Sequence, residues 1–284
     1  MHSRKKARRF AFHVFSIGFG FIMIYPILWL IASSFKGPSE IFTNQLSLIP
    51  KEWVFFNYAE GLRGFGQGSS RIPFSVFFKN SFIIVGLSTV GQVISSAIVA
   101  YGFARIRFRF KGILFACVIV TMMLPTQIMA IPQYIMFNII HWIDTYLPLI
   151  VPAFFGNSFF IFLIYQFIQG ITRDLDEAAF IDGCSKYGVF FRIIFPLIVP
   201  ALVTSAIFAF YWRWDDFFSA LLYLQSPRKY PVSYALKMFA DPGAVSNWGA
   251  MYAMSALSLV PVIILFFSFQ KYLVEGISTT GMKN

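Results

Sequence analysis

Residues 76–104 read VFFKNSFIIVGLSTVGQVISSAIVAYGFA, an apolar stretch in which Lys79 is the only formally charged residue. A helix rises about 1.5 Å per residue, so roughly 20 residues cross the ~30 Å hydrocarbon core of a bilayer. Small residues in the stretch, such as Gly86, Ser88 and Gly91, let neighbouring membrane helices approach closely. The stretch therefore predicts a transmembrane helix.

Apolar runs of similar length recur along the 284-residue chain, of which 58% is hydrophobic and only 12% charged. A soluble domain of this composition would expose too much apolar surface to water. The runs are continuous, whereas barrel strands alternate, so helices are favoured. We predict an all-α integral membrane protein, with one domain over residues 1–284 and six transmembrane helices at residues 12–34, 76–104, 113–137, 147–168, 197–224 and 250–269.

Positive charge predicts how these spans are oriented. The short segments 4–9 and 105–111 are rich in Lys and Arg, and six alternating spans place both on the same side. Cytoplasmic flanks of membrane helices retain such charge. We therefore expect both termini to be cytoplasmic. The net charge of +11 does not indicate nucleic-acid binding, because the basic segments adjoin apolar spans, where they bind anionic headgroups.

The sequence has no pattern typical of metal binding, disulfide formation or nucleotide-phosphate binding. The histidines, at positions 2, 13 and 141, have no partner at metal-ligand spacing. Cys117 lies in a predicted span and Cys184 in a predicted inner loop, so free thiols are expected. The glycines at 183 and 188 have the spacing of a phosphate-binding loop, but Val189 stands where its Lys is required. We expect no metal, and no cofactor bound by this chain.

The most informative polar segment is the 173–196 loop, RDLDEAAFIDGCSKYGVFFRIIFP, between the fourth and fifth spans. Asp174 and Glu177 have the spacing of a reciprocal N-cap, and Gly183 suits a left-handed C-terminal cap. A second short helix is predicted over about 186–194. In the first helix Leu175, Ala178, Ala179 and Asp182 share one face, on which the alanines leave room for another surface. Periodicity alone fits equally well a connector lying on lipid headgroups.

The residues of this loop resemble a known motif. Glu177-Ala178-Ala179, Asp182-Gly183 and the later Ile194 and Pro196 are similar to the EAA loop of binding-protein-dependent ABC importer permeases, with Cys184 where a smaller residue is usual. The likeness is strongest to the carbohydrate branch, specifically the second permease subunit of maltose-type systems. It implies the six-helix type I importer fold. It also implies that the ATPase subunit is contacted by Glu177, Ala178, Ala179, Asp182 and Gly183.

Three further segments resemble the carbohydrate branch. Residues 212–218, WRWDDFF, are similar to an aromatic and polar segment of the fifth span, and residues 225–249 to a loop that reaches the external binding protein. The tail 274–281 is similar to one that contacts the paired ATPases, which implies contacts from Gly276, Ser278, Thr279 and Gly281. Trp212, Asp215 and Asp216 are candidates for the solute path. Pairing with Arg213, or placement at the membrane interface, explains these charges equally well.

The resemblance also implies partners. These are a second, unlike permease subunit, two ATPase subunits that hold ATP and Mg²⁺, an extracytoplasmic solute-binding protein and the lipid bilayer of a bacterial or archaeal cytoplasmic membrane. The chain itself would then be no enzyme and would carry a sugar or oligosaccharide. An ABC permease for another solute, such as an amino acid, stays open as an alternative. A polytopic membrane enzyme lacks the convergent catalytic residues it would need, and a secondary transporter would lack an ATPase-docking loop.

Overall fold

The computed structural model describes residues 2–44, 46–66, 71–239 and 247–281, and within these ranges the regular structure is helical. One isolated antiparallel bridge joins Phe65 and Ile72. The all-α prediction is confirmed. The helices are α1 (His2–Ser33), α2 (Pro38–Thr43), α3 (Phe56–Arg63), α4 (Phe74–Arg105), α5 (Lys111–Met122), α6 (Ala130–Ile139), α7 (Leu147–Ile150), α8 (Ser158–Gln169), α9 (Asp174–Ile181), α10 (Lys186–Val189), α11 (Phe195–Leu197), α12 (Val199–Trp214), α13 (Phe217–Tyr223), α14 (Val232–Phe239) and α15 (Trp248–Gly281).

Candidate membrane spans follow from the length and composition of these helices. Four unbroken candidates cover Arg9–Ser33, Phe74–Arg105, Leu147–Gln169 and Trp248–Tyr272. Two bent pairs, Lys111–Met122 with Gln127–Ile139 and Lys186–Leu197 with Val199–Trp214, bring the number to six when each pair counts as one span. The predicted six-span architecture agrees with this arrangement.

The third and fifth predicted spans are not single straight helices. The predicted span 113–137 is bent by 96° between α5 and α6, next to Pro125. Proline has no N–H to donate and disfavours helical geometry in the residue before it, which accounts for a break there. The predicted span 197–224 ends as α12 at Trp214, and α13 begins after Asp216.

The fourth predicted span, 147–168, also contains an internal break. A 3₁₀ turn at Val151–Phe155 precedes Gly156, whose φ of +87° lies in the left-handed region. The side chain of Asn157 then accepts hydrogen bonds from the backbone N–H of Phe159 and Phe160, which caps the start of α8. The mean composition of the segment is apolar, so composition alone did not reveal the interruption at Gly156 and Asn157.

The chain forms two compact units, the first comprising Met1–Phe74 and Leu236–Val260. Within it the Asn57 side-chain amide donates to the carbonyls of Ser34 and Lys36, at 2.9 Å each. Lys36 is buried, and its Nζ donates to the carbonyls of Asn44, at 3.1 Å, and Ser47, at 2.6 Å. These bonds hold the connection after α1 to α3.

The second unit comprises Ser75–Ala235 and Pro261–Asn284. Its core joins the end of α4 to α8 and to the 173–196 loop. The alanines of α4 are buried there together with isoleucines of α8 and apolar residues of the loop, namely Ala97, Ala100, Ala104, Ile164, Ile168, Ala179, Val189 and Ile194. Small residues on α4 allow close packing. The 173–196 loop therefore packs on α4 and α8 of the same chain. The prediction of a single domain stays a prediction.

Candidate functional site

The 173–196 loop forms the predicted pair of short helices. Helix α9 ends at Ile181, and Gly183, just beyond the cap residue Asp182, has a φ of +82°. The Gly183 N–H donates to the Phe180 carbonyl at 3.1 Å, and the Cys184 N–H donates to the Ala179 carbonyl at 2.9 Å. This pair of bonds is the Schellman ending, in which a glycine takes the left-handed position. The Ser185 side chain then accepts from the Gly188 N–H and begins α10.

The predicted reciprocal cap at the start of α9 is wrong. Asp174 is the first residue of the helix, Arg173 occupies the cap position with helical dihedral angles, and no side chain bonds the cap. The Arg173 carbonyl already accepts from the N–H groups of Asp176, at 2.9 Å, and Glu177, at 3.0 Å. The carboxylates of Asp174, Asp176 and Glu177 all lie in the first turn, where negative charge is favourable.

The predicted contact residues divide between two faces of the loop. Glu177, Ala178, Asp182 and Gly183 are exposed, whereas Ala179 is only 4% exposed and packs into the core. The predicted common face is therefore corrected, because Ala179 points inward and its neighbour Ala178 points outward. Contact of these residues with another protein stays a prediction.

Large apolar side chains surround the exposed carboxylates of this loop. Ile181 is 87% exposed and Tyr187 is 79% exposed, with Phe180 and Leu175 also open. Exposed apolar groups of this size in one place are typical of a surface that another protein or a membrane covers. The 173–196 loop thus presents a mixed acidic and apolar surface on a base that packs into the core.

A buried ion pair, which the sequence analysis missed, fixes that base. Arg105 Nε lies 2.7 Å from Asp176 Oδ2, and both side chains are at most a tenth exposed. Arg105 also donates to the Ile171 carbonyl at 2.8 Å. Burial raises the pKa of the Asp176 carboxyl, and the positive charge of Arg105 opposes that rise. Arg105 lay in a basic segment assigned to lipid headgroups, and no local pattern distinguished it from its neighbours.

Another polar junction centres on Asp144, which has a φ of +57°. Its carboxylate accepts from the N–H groups of Gln225, at 3.0 Å, and Ser226, at 2.8 Å, and from Lys229 Nζ at 2.8 Å. Partial burial raises the pKa of this carboxyl, but the hydrogen bonds from Lys229 and Ser226 outweigh burial and hold it well below its ordinary value. The junction ties the segment before α7 to the segment after α13.

Replacing Asp144 with Ala is expected to destabilise the protein by about 1–3 kcal/mol, because two backbone N–H groups and the Lys229 ammonium lose a charged acceptor. Asp144→Asn should cost less, since Asn tolerates a positive φ and keeps one acceptor. Because the folded pKa is lowered, the stabilisation is present at neutral pH and is lost as the pH falls through that pKa. The loss on replacement should therefore persist to about pH 5. Thermal unfolding of the purified protein measures it.

Exposed Asp215 provides the control for that prediction. Asp215→Ala removes the same charge from a side chain that forms no ion pair or hydrogen bond in the described part of the chain. It should change stability by no more than about 0.5 kcal/mol. An equal effect of the Asp144 and Asp215 replacements would contradict the role of the junction.

A cavity of about 1010 Å³ lies within the second unit. Its lining is mostly apolar and aromatic, with uncharged polar groups and one pair of opposite charges. Of the predicted solute-path residues, Trp212 and Asp216 line it, and Asp215 does not. Arg213 also lines it and pairs with Asp216, with 2.9 Å between Nη1 and Oδ2. Asp216 thus both lines the cavity and pairs with Arg213, and its place in a solute path stays a prediction.

The two remaining predicted segments are described only in part. Gly276, Ser278, Thr279 and Gly281 belong to α15, which continues beyond the predicted span, but the side chains of 273–281 lie outside the described residues. The predicted binding-protein loop 225–249 contains a 3₁₀ turn at Pro227–Lys229 and helix α14, while residues 240–246 lie outside the described ranges. The predicted contacts of both segments stay predictions.

Comparison with known proteins places this geometry in context. Residues 92–279 match the family model of the binding-protein-dependent transport system inner membrane component. The chain is 36% identical over 260 residues to the probable ABC transporter permease protein YurM of Bacillus subtilis, covering 91% of this chain and 83% of that protein. It is 32% identical over 277 residues to the arabinooligosaccharides transport system permease protein AraQ of Bacillus subtilis, covering 97% and 96%.

A solved structure has the same fold. A chain from the crystal structure of a bacterial ABC transporter involved in the import of the acidic polysaccharide alginate superposes with a TM-score of 0.81. The match covers 94% of this chain and 96% of that one, at 21% sequence identity. The predicted importer-permease fold is confirmed.

Proposed function

The chain belongs to the family of binding-protein-dependent transport system inner membrane components, and from that premise we propose that it is the permease subunit through which an ABC importer moves a sugar or oligosaccharide. The family makes it a multi-pass membrane protein and a subunit of a transporter. The sugar class is supported by the full-length similarity to an arabinooligosaccharide permease. Other ABC solutes are the alternative.

The observation that carries the coupling part of this proposal is the exposed surface of the 173–196 loop. Acidic and apolar side chains, including Glu177, Asp182 and Ile181, face outward from a helix pair that is anchored to α4 and α8. A separate ATPase subunit, which binds ATP and Mg²⁺, docks on this surface. Because the loop is fixed to two membrane helices, movement of the ATPase is transmitted to the spans.

The complete importer contains further partners. A second, unlike permease subunit completes the path, two ATPase subunits bind on the cytoplasmic side, and an extracytoplasmic protein delivers the solute. The basic segments 4–9 and 105–111 support cytoplasmic termini. ATP and the loaded binding protein prefer different states of the spans, and this difference in affinity sets the direction of transport. The chain itself supplies linkage and a path, with no catalysis.

The coupling role is tested by cysteine crosslinking of Ala178→Cys to a co-expressed ATPase subunit in membranes. Free Cys117 and Cys184 are first replaced by Ser. Because Ala178 is exposed, its cysteine should crosslink to the ATPase, and ATP should change the yield.

Ala179→Cys is the matched control, one residue along but buried. It should crosslink much more weakly under the same conditions. If Ala178→Cys yields no ATPase crosslink despite normal insertion and expression, or if both positions crosslink equally, the proposed docking surface is wrong.

A further inference from the structure

The charge of the cavity in the second unit distinguishes among possible solutes. Arg213 and Asp216 are the only formally charged residues in its described lining, and they form an ion pair of 2.9 Å. Both side chains are about four-fifths buried, at 23% and 20% exposure. The net charge presented to a solute is therefore zero, and the positive charge of Arg213 is already engaged.

Uncharged hydrogen-bonding groups remain available in the same cavity. Gln133 accepts from the Tyr223 hydroxyl through Oε1, and Asn157 accepts two backbone N–H groups through Oδ1. The side-chain amide nitrogens of Gln133 and Asn157 donate no hydrogen bond within the part of the chain that the structure describes. Gln92 contributes a further amide to the lining. Such amides suit hydroxyl groups, which both donate and accept.

Aromatic faces and volume complete the match to a saccharide. Trp142 and Trp212 line the cavity, and Trp212 is 45% exposed. Indole rings provide a rigid apolar face with a polar edge, which suits the alternating C–H and hydroxyl surface of a sugar ring. Pockets for drug-sized ligands hold roughly 300–1,000 Å³, so a cavity of about 1010 Å³ has room for several sugar rings.

We propose that this cavity is a saccharide subsite selective for neutral oligosaccharides, and that the Arg213–Asp216 pair sets the selectivity by cancelling the charge of Arg213. The proposal rests on the proposed sugar-importer function and specifies its solute class. The carboxylate of an acidic sugar entering the cavity would lie close to the carboxylate of Asp216. It would also have to share the positive charge of Arg213 with Asp216. Like charge and lost hydration both oppose its binding.

The test replaces Asp216 with Asn. Asp216 has a second task, because its Oδ1 accepts from the Ser219 N–H at 3.0 Å and caps α13. Asn is an equally good capping residue, so Asp216→Asn keeps α13 and removes only the charge. Arg213 is then left as an unpaired cation facing the cavity. Asp215→Asn is the matched control, since it removes the same charge next to the cavity but outside its lining.

Two probes that differ in charge report on the change. They are maltotriose and the tri-uronate made by oxidising its primary alcohols, and equilibrium dialysis measures their binding to the purified importer complex without binding protein. Wild type should bind maltotriose more tightly than the tri-uronate. Asp216→Asn should shift the ratio of the two Kd values toward the tri-uronate by about tenfold or more, and Asp215→Asn should leave that ratio unchanged.

Several outcomes would overturn this assignment. They are stronger binding of the tri-uronate than of maltotriose by wild type, equal ratios for Asp216→Asn and wild type, and no binding of either probe by any variant. The crosslink from Ala178→Cys distinguishes a failure of the saccharide-subsite proposal from a failure of the coupling proposal. If the crosslink is present and the ratio does not shift, the chain remains an importer subunit and only the subsite is wrong. If the crosslink is absent, the coupling proposal fails independently.

Discussion

Arg105→Met should destabilise the protein by about 3–5 kcal/mol, because removing one partner of a buried ion pair leaves the other charge buried and uncompensated. Asp176 is the group left behind, and its side chain is 10% exposed. Met keeps much of the length and apolar character of the Arg stem, so the packing loss is small. Thermal unfolding of the purified protein measures the change. Solute uptake should fall with it, since α9 loses its ion pair to α4.

The pH dependence of Arg105→Met identifies the cause. Burial raises the pKa of Asp176, and without Arg105 only the weaker effect of the positive charge of Arg173 opposes that rise. A carboxyl whose folded pKa lies above its unfolded pKa stabilises the fold below the unfolded value, and that stability is lost as the pH rises through the folded value. The variant should therefore be more stable at mildly acidic pH than at neutral pH, and wild type should show less of this dependence.

Two further variants serve as controls. Arg107 is exposed and forms no ion pair in the described part of the chain, so Arg107→Met should change stability by no more than about 0.5 kcal/mol. The double variant Arg105→Met with Asp176→Leu removes both charges and should recover much of the lost stability. Equal effects of Arg105→Met and Arg107→Met would show that the buried pair does not stabilise the loop.

The sequence predicted the helical membrane architecture because continuous apolar composition is a local signal. The same signal could not locate breaks within the spans. The interruptions at Pro125 and Gly156 and the end of α12 before Asp216 are set by single residues within segments that are apolar only on average. Composition averaged over a span cannot register a single residue that redirects the chain.

The features of the candidate site that were predicted are those with a local sequence signal. Gly183 carries a local signal, so the left-handed end of α9 is confirmed. The pairing of Arg105 with Asp176 joins residues far apart in the sequence, and only the packing of α9 on α4 brings them together. The sequence alone does not distinguish the adjacent residues Asp215 and Asp216. In the structure Asp216 caps the start of α13 and pairs with Arg213, whereas Asp215 does not.

Replacing Gly183 with Val is expected to uncouple transport while leaving membrane insertion intact. Gly183 has a φ of +82°, and no atom lies within 4 Å of where a Cβ would stand. Collision of a Cβ with the rest of this chain is thus excluded, so within the chain the effect comes from the backbone. A residue other than Gly in the left-handed region costs about 1–2 kcal/mol, and a β-branched residue is the least tolerated.

The strain acts on the hydrogen bonds that end α9. If the backbone at position 183 leaves the left-handed region, the bonds from Gly183 to Phe180 and from Cys184 to Ala179 are lost. The exposed residues Asp182 and Ile181 then change direction relative to α10. Binding-protein-dependent uptake should fall by about tenfold or more, which corresponds to a loss of roughly 1.4 kcal/mol in coupling, while expression and insertion stay normal.

A graded series separates this backbone effect from a general sensitivity of the loop. Asn tolerates a positive φ better than other residues with a side chain, so uptake should decline in the order Gly, Asn, Ala, Val at position 183. Gly188→Ala is the matched control, because a Cβ there meets Cys184 at an ordinary 3.6 Å and φ is not in the left-handed region. Its uptake should equal that of wild type. Normal uptake by Gly183→Val, or equal loss in Asn and Val variants, would mean that the left-handed turn is not what orients the docking surface.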